Sequence, residues 1–161
     1  MAEPLWTARQ IAAATGGTAS GAFEVYGVAI DSREVNQGDL FVALRGDNHD
    51  GHKYIAGALQ RGASGALVER GADVPLGTPV VAADDCLAGL TALGAASRDR
   101  IAGKVIGVTG SVGKTGTKTA IAAALARSGA TYASERSFNN HIGVPLTLAR
   151  TPAASRYAVL E

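Results

Sequence analysis

The fold class predicted for this chain is α/β: a small mixed α/β N-terminal module, then the first part of a parallel-sheet domain of the phosphate-loop (P-loop) type. Two observations carry that reading. Short apolar, β-branched runs alternate with helical stretches along the 161 residues, the pattern of strands joined by crossover helices. One such run, Val105-Ile106-Gly107-Val108, passes through the glycine-rich turn Gly110-Ser111-Val112-Gly113-Lys114-Thr115 directly into a helical stretch.

Taken in order, Thr7-Ala8-Arg9-Gln10 has the form of a capping box, and Gly16-Gly17 ends the short helix it starts. Val25 to Ile30 reads as a strand ending in Asp31-Ser32-Arg33, and Leu40 to Leu44 as a second strand after the turn residues Gln37-Gly38-Asp39. Asp50 is placed to cap a helix running to about Arg61, with Tyr54, Ile55, Ala58 and Leu59 on its buried side and Gly62 as its stop. Ala66-Leu67-Val68 and Val80-Val81 supply further strands. Asp84 or Asp85 then caps a longer helix whose Leu87, Leu90, Leu93 and Ile101 share one face. The expected boundary lies near Ala83, giving modules 1–83 and 84–161.

In the second module, Val105, Ile106 and Val108 read as a buried parallel strand. Thr117 to Arg127 reads as a helix with Ile121 and Leu125 one turn apart and Gly129 beyond its end. A short strand around Thr131-Tyr132-Ala133, a loop, a helical turn and an apolar strand from Arg156 follow. A phosphate-loop sheet usually holds more strands than this. The chain is therefore expected to be a piece of a longer enzyme, with an edge strand open to pairing with a second copy.

The glycine turn has a chemical reason. Lys114 is a cation at a helix N-terminus, where the macrodipole repels it. An anion held between the lysine and the free backbone N–H groups removes that conflict. Gly110 and Gly113 let the backbone curl close to the anion, and the Thr115 hydroxyl is placed to bind Mg2+ beside it. The common phosphate-loop spacing would put the first glycine at Val108, whereas this chain offers Gly107 and Gly110. A variant loop accounts for this, since strand, loop, Lys-Thr and helix occur in order. The competing reading is a glycine-rich turn with a solvated lysine.

Composition narrows the partners. Hydrophobic residues make up 47% of the chain while aromatics are few, so the cores should be built from small aliphatics. The formal net charge is +1 and basic residues are scattered, which leaves no electrostatic footprint for nucleic acid. Cys86 is the single cysteine, so no internal disulfide forms and a reducing compartment fits. No signal-peptide pattern or bilayer-length apolar run is present. A soluble cytoplasmic protein is expected.

Four ordered segments together resemble the Mur ligase family, the ATP-dependent amino-acid and peptide ligases of peptidoglycan synthesis. They are Asp31-Ser32-Arg33 with Gly38-Asp39-Leu40-Phe41-Val42-Ala43-Leu44; Asp50-Gly51-His52 with Gly62-Ala63 and Leu67-Val68; the loop Thr109 to Thr115; and Phe138-Asn139-Asn140-His141-Ile142-Gly143-Val144-Pro145-Leu146-Thr147-Leu148. The loop has the family's own spacing. The fourth segment resembles the members that add the final dipeptide rather than the third residue, where a Thr-Thr-Pro type sequence stands. Gly116 and His141 depart from the usual second threonine and glutamate.

The resemblance implies a reaction and a set of roles. Such a ligase phosphorylates the terminal carboxylate of UDP-MurNAc-tripeptide with ATP, and the amine of D-alanyl-D-alanine attacks the acyl phosphate. Phosphoryl transfer between anions needs alignment and charge neutralisation more than a protein nucleophile. By the resemblance, Gly110, Ser111, Val112, Gly113, Lys114, Thr115 and Gly116 hold ATP, with Lys114 on the β- and γ-phosphates. Thr115 and Glu161 bind Mg2+. Asn140 joins Lys114 as a catalytic candidate close to the nucleotide and the substrate carboxylate. Asp31, Ser32, Arg33 and His52 grip the UDP portion, where a guanidinium suits phosphate. The 161 residues lack the lysine that family members carboxylate and the domain that receives the dipeptide, so they are expected not to turn over.

Each residue also has a plainer reading. Asp31-Ser32-Arg33 is by itself a strand-ending turn, and Asn139-Asn140 can be one too. Asp50 reads as a helix cap before a ligand. His49 and His52 read as surface histidines rather than metal ligands, since no thiolate or third histidine accompanies them. Cys86 reads as a packing residue. The rival functions are a third-residue ligase of the same family, a folate polyglutamating ligase, a non-catalytic nucleotide-binding module, and a UDP-sugar-binding fragment.

Overall fold

Trp6–Thr7 (β1) leads into α1 (Ala8–Thr15) through the expected capping box: Gln10 N donates to Thr7 Oγ1 at 3.3 Å and Thr7 N donates to Gln10 Oε1 at 2.8 Å. Left-handed Gly16 closes the helix. The computed structural model describes residues 3–134 and 136–161. Packing divides the chain into two units, Met1–Leu93 and Gly94–Glu161.

The first unit continues with β2 (Thr18–Ala19), β3 (Glu24–Val25), β4 (Gly27–Ala29), β5 (Asp39–Val42), the ribbon β6 (Arg45–Gly46) and β7 (His49–Asp50), α2 (Ile55–Gln60), β8 (Gly65–Glu69) and β9 (Val80–Ala83). Its main sheet has the order β2-β9-β8-β5-β4, parallel except for β2 against β9. The inner strand β5 is buried along its whole length, as expected of a strand covered on both faces. Phe41, Ala66 and Val68 meet Ile55 and Ala58 of α2 on one face. Leu67 meets Gly89 and Cys86 on the other.

Two expectations are corrected here. The strand expected over Val25 to Ile30 is broken at Tyr26, because the chain changes partners there. Val25 pairs with Trp6 of β1, Tyr26 N donates to Gly38 O at 2.9 Å, and Gly27 begins the pairing with β5. The helix expected from Asp50 opens as a 3-10 turn, Gly51–Tyr54, before α2. Gly51 lies so close to the Leu44 carbonyl that an added Cβ would sit 2.7 Å from its oxygen. Asp50 caps the turn as expected, accepting from His52 N at 3.0 Å.

The long helix α3 (Cys86–Arg100) is capped by Asp85, which accepts from Ala88 N at 2.6 Å; Asp84 instead pairs with Arg70. Leu90, Leu93 and Ile101 are buried, and Leu87 is half-buried. The division between the units falls inside this helix, since Gly89 packs on Leu67 and Thr15 while Gly94 packs on Pro145.

The second unit holds β10 (Lys104–Gly107), α4 (Lys114–Ala126), β11 (Thr131–Ala133), α5 (Gly143–Arg150) and β12 (Tyr157–Leu160). Its sheet is parallel with the order β10-β12-β11, so the last strand inserts between the first two. Ala158 and Val159 at its centre are fully buried. Val105 and Ile106, expected to be buried, are only half-buried, because β10 pairs along one side among the described residues. Both β10 and β11 are edges of that sheet. Helix α4 starts at Lys114, earlier than expected, because left-handed Gly113 (φ 77°) turns the chain straight into it. The expected helical turn extends to the whole of α5, with Pro145 tolerated in its first turn. Among the described residues no helix is long and apolar enough to cross a membrane.

Candidate functional site

Gly113 sets the geometry of the glycine loop. No side chain caps α4, leaving its positive end open. Lys114 bends back across the loop, its Nζ donating to Gly110 O at 2.8 Å. Ser111, Val112 and Gly116 are exposed, Val112 to 90%. An uncapped helix start with a lysine folded over it carries the positive charge and free N–H groups that suit an anion.

Beside the loop, the first turn of α4 meets the end of β12. Thr115 Oγ1 donates to Glu161 Oε1 at 3.1 Å and lies 3.0 Å from Ser137 Oγ. Asn139 Nδ2 makes a long bond of 3.5 Å to Glu161 Oε1. The Glu161 side chain is fully enclosed, and Lys118 Nζ sits 3.3 Å from its Oε2. That oxygen has no well-directed hydrogen bond.

Burial pushes the Glu161 carboxyl up, but the Thr115 hydroxyl, the Lys118 ammonium beside it and the Ser137 hydroxyl outweigh it and hold its pKa below the ordinary value. The carboxylate is therefore ionised at neutral pH. A hydroxyl and a carboxylate side by side are hard oxygen donors of the kind Mg2+ takes. Among the described residues there is no cluster of three or more His, Cys, Asp or Glu able to hold a metal. A pair of protein oxygens fits a cation that keeps several waters and shares phosphate oxygens.

Asn140 points its Oδ1 at backbone, accepting from Ile142 N at 3.1 Å and Gly143 N at 2.7 Å. Its neighbour Asn139 is the asparagine that reaches Glu161. Lys118 and Ser137 were not among the residues expected from the sequence, whereas Asn139 stands in the segment 138–148 quoted for the family resemblance. Lys118 had one signal, a position four residues after Lys114 and so on the same helical face. Ser137 lies in a loop just before that segment, with no local pattern to mark it.

In the first unit, Asp31 caps the 3-10 turn Ser32–Glu34 and is paired with Arg33, whose Nη2 lies 2.6 Å from Oδ2. The Arg33 hydrogen bonds lower the Asp31 carboxyl to about 2. The turn lines a cleft of about 470 Å³ whose other walls are Ile30, Phe41, His49 and Tyr54. The His49 and Tyr54 rings stack at 5.1 Å.

His52 is placed elsewhere. Its Nδ1 lies 2.7 Å from Asp50 Oδ1, and its Nε2 accepts from Glu69 N at 3.0 Å. With Nε2 accepting, the proton sits on Nδ1 and faces the carboxylate. The surface position expected for both histidines holds for His49 but not for His52, whose side chain is 7% exposed. The reason is its bridging place between the turn after β7 and strand β8.

Comparison with known proteins adds relationships to this geometry. The family model described as "Mur ligase family, catalytic domain" matches residues 24–102, and that described as "Mur ligase middle domain" matches residues 108–161. The UDP-N-acetylmuramoyl-tripeptide–D-alanyl-D-alanine ligase of Bacillus subtilis is 39% identical over 138 residues, covering 85% of this chain and 30% of that protein. The Escherichia coli ligase of the same name is 38% identical over 134 residues, covering 83% and 29%. A crystal structure of MurF from Acinetobacter baumannii superimposes with a TM-score of 0.83 at 35% identity, covering 99% of this chain and 36% of that one. MurF from Thermotoga maritima, solved in complex with ADP, gives a TM-score of 0.63 at 29% identity, covering 85% and 32%. The chain thus spans about a third of the length of the relatives it matches.

Proposed function

The chain belongs to the Mur ligase family, and from that premise we propose that it is the substrate- and nucleotide-holding part of an ATP-dependent ligase joining D-alanyl-D-alanine to UDP-MurNAc-tripeptide. The observation that carries the reading is the hydrogen bond from Thr115 to Glu161, which brings a hydroxyl and an ionised carboxylate together beside the lysine of the glycine loop. The A. baumannii likeness at 35% identity and the ADP held by the T. maritima relative support it.

The roles divide by module. Residues 84–161 hold ATP: Lys114 and the amides from Gly110 to Gly116 take the β- and γ-phosphates, and Thr115 and Glu161 take Mg2+. Bound Mg2+ supplies charge neutralisation for transfer of the γ-phosphoryl group to the tripeptide carboxylate. Asn140, through its two backbone bonds, fixes the loop leading into α5, while Asn139 presents its amide at the carboxylate. Residues 1–83 grip the UDP portion. The Asp31-Ser32-Arg33 turn offers a guanidinium for the diphosphate, and the stacked His49 and Tyr54 offer flat faces for a base. His52 acts from behind, holding Asp50 and β8 in place.

Because the 161 residues span about a third of the relatives' length, they are proposed to bind ligands without completing the ligation. With these substrates the proposed location is the cytoplasm. The open edges of β10 and β11 make self-pairing of this chain an expected side reaction, which light scattering across a concentration series measures. The test of the function is calorimetric titration with UDP-MurNAc-tripeptide and then Mg-ATP, beside Lys114→Ala. Precursor binding that survives the substitution, with ATP binding that does not, supports both halves. ATP binding unaffected by Lys114→Ala overturns the nucleotide assignment, and absence of precursor binding overturns the UDP assignment.

A further inference from the structure

Lys118 is 2% exposed, and burying an ammonium group is costly unless it is paired and hydrogen-bonded. Its Nζ meets that condition three times: it donates to Ser134 Oγ at 3.0 Å, donates to Arg136 O at 3.1 Å, and lies 3.3 Å from Glu161 Oε2. Two of these partners belong to the segment after β11, and the third is the last residue beyond β12. One side chain of α4 therefore fastens both elements that converge on Thr115. From the same segment, Ser137 reaches Thr115 and Asn139 reaches Glu161. With Oε2 taken by the ammonium, Oε1 is the oxygen turned toward Thr115.

Resting on the nucleotide reading above, we propose that Lys118 is the positioning residue of the magnesium site: its buried ammonium orients the Glu161 carboxylate and holds the Ser134 hydroxyl and the Arg136 carbonyl, so that Mg2+ finds Thr115 and Glu161 already in place. Lys118 and Lys114 share a helix face but have different tasks. Lys114 serves the phosphates directly, and Lys118 acts through Glu161. The consequence is a separation of effects. Loss of Lys114 weakens nucleotide binding with or without the metal. Loss of Lys118 removes the part of the affinity that Mg2+ adds.

The test measures ATP affinity of the full chain in Mg2+ and in EDTA by calorimetry, for wild type, Lys114→Ala and Lys118→Met, with thermal unfolding as the control for folding. The expected result for Lys118→Met is an unchanged affinity in EDTA and a loss of about tenfold or more in the gain from Mg2+, the range typical when a group orienting a metal ligand is removed. A folded Lys118→Met that keeps the full gain overturns the inference while leaving the nucleotide reading intact. A wild-type chain that binds no ATP in either buffer overturns both. Should Lys118→Met melt far below wild type, Ser134→Ala carries the test, since it keeps the charge and removes one anchor. A reduced Mg2+ gain with normal EDTA affinity then supports the positioning role, and an undiminished gain overturns it.

Discussion

Thr115 and Glu161 are separated by 46 positions in the chain and joined by a 3.1 Å hydrogen bond. That bond ties the first turn of α4 to the end of β12, and it is what makes a glycine-rich turn into a candidate metal site.

Glu161→Gln keeps an acceptor for Thr115 but removes the charge. Mg2+ should then strengthen ATP binding at least about tenfold less than in wild type, while affinity in EDTA stays the same or rises. Calorimetry in the two buffers checks this, and an undiminished Mg2+ effect would count against Glu161 as a ligand.

Asp31 and Arg33 give a pH signature. The Asp31 carboxyl sits at about 2 in the fold against its ordinary 3.8. A depressed carboxylate stabilises the fold fully above its unfolded pKa and loses that contribution as pH falls through its folded one. The contribution should therefore fade between 3.8 and about 2 and be small, since the pair is largely exposed. In Arg33→Ala, NMR titration should find Asp31 back near 3.8; a carboxyl still close to its wild-type value would exclude Arg33 as the cause.

His52→Ala should destabilise the first unit by roughly 1–3 kcal/mol, because it leaves the Glu69 N–H without its acceptor. Urea unfolding measures the loss. UDP binding by a folded variant should fall by much less than in Arg33→Ala, since His52 lies outside the cleft lining. A large selective loss of UDP binding would instead make His52 a direct contact.

Cys86 should be chemically silent. Burial pushes its thiol up to about 12, so almost no thiolate is present near pH 8. A disulfide reagent should label it only in denaturant, and rapid labelling of the native chain would mean that α3 opens.

Much of this was legible in the residues alone. The capping box at Thr7 and Gln10, the buried run at Leu40 to Val42 and the helix after Gly113 were readable because each depends on neighbours within a turn or two. The expectation of one strand over Val25 to Ile30 failed at Tyr26, where local composition gives no hint that the chain changes partners. The candidate site divided the same way. Lys114 and Thr115 stand in one motif and Asn139 in another, but Ser137 stands in none.

What the sequence by itself determined is the chemistry on offer: a lysine and a hydroxyl at a helix start, an acid after an apolar strand, a basic turn after another. Tertiary structure decided which of these meet. Inserting β12 between β10 and β11 carries Glu161 to the glycine loop. Burial in that setting turns Lys118, an ordinary helix residue by pattern, into an enclosed ammonium that must find partners. Strand order and the pairing of buried charges are set by long-range packing free energy, and no local run of residues encodes them.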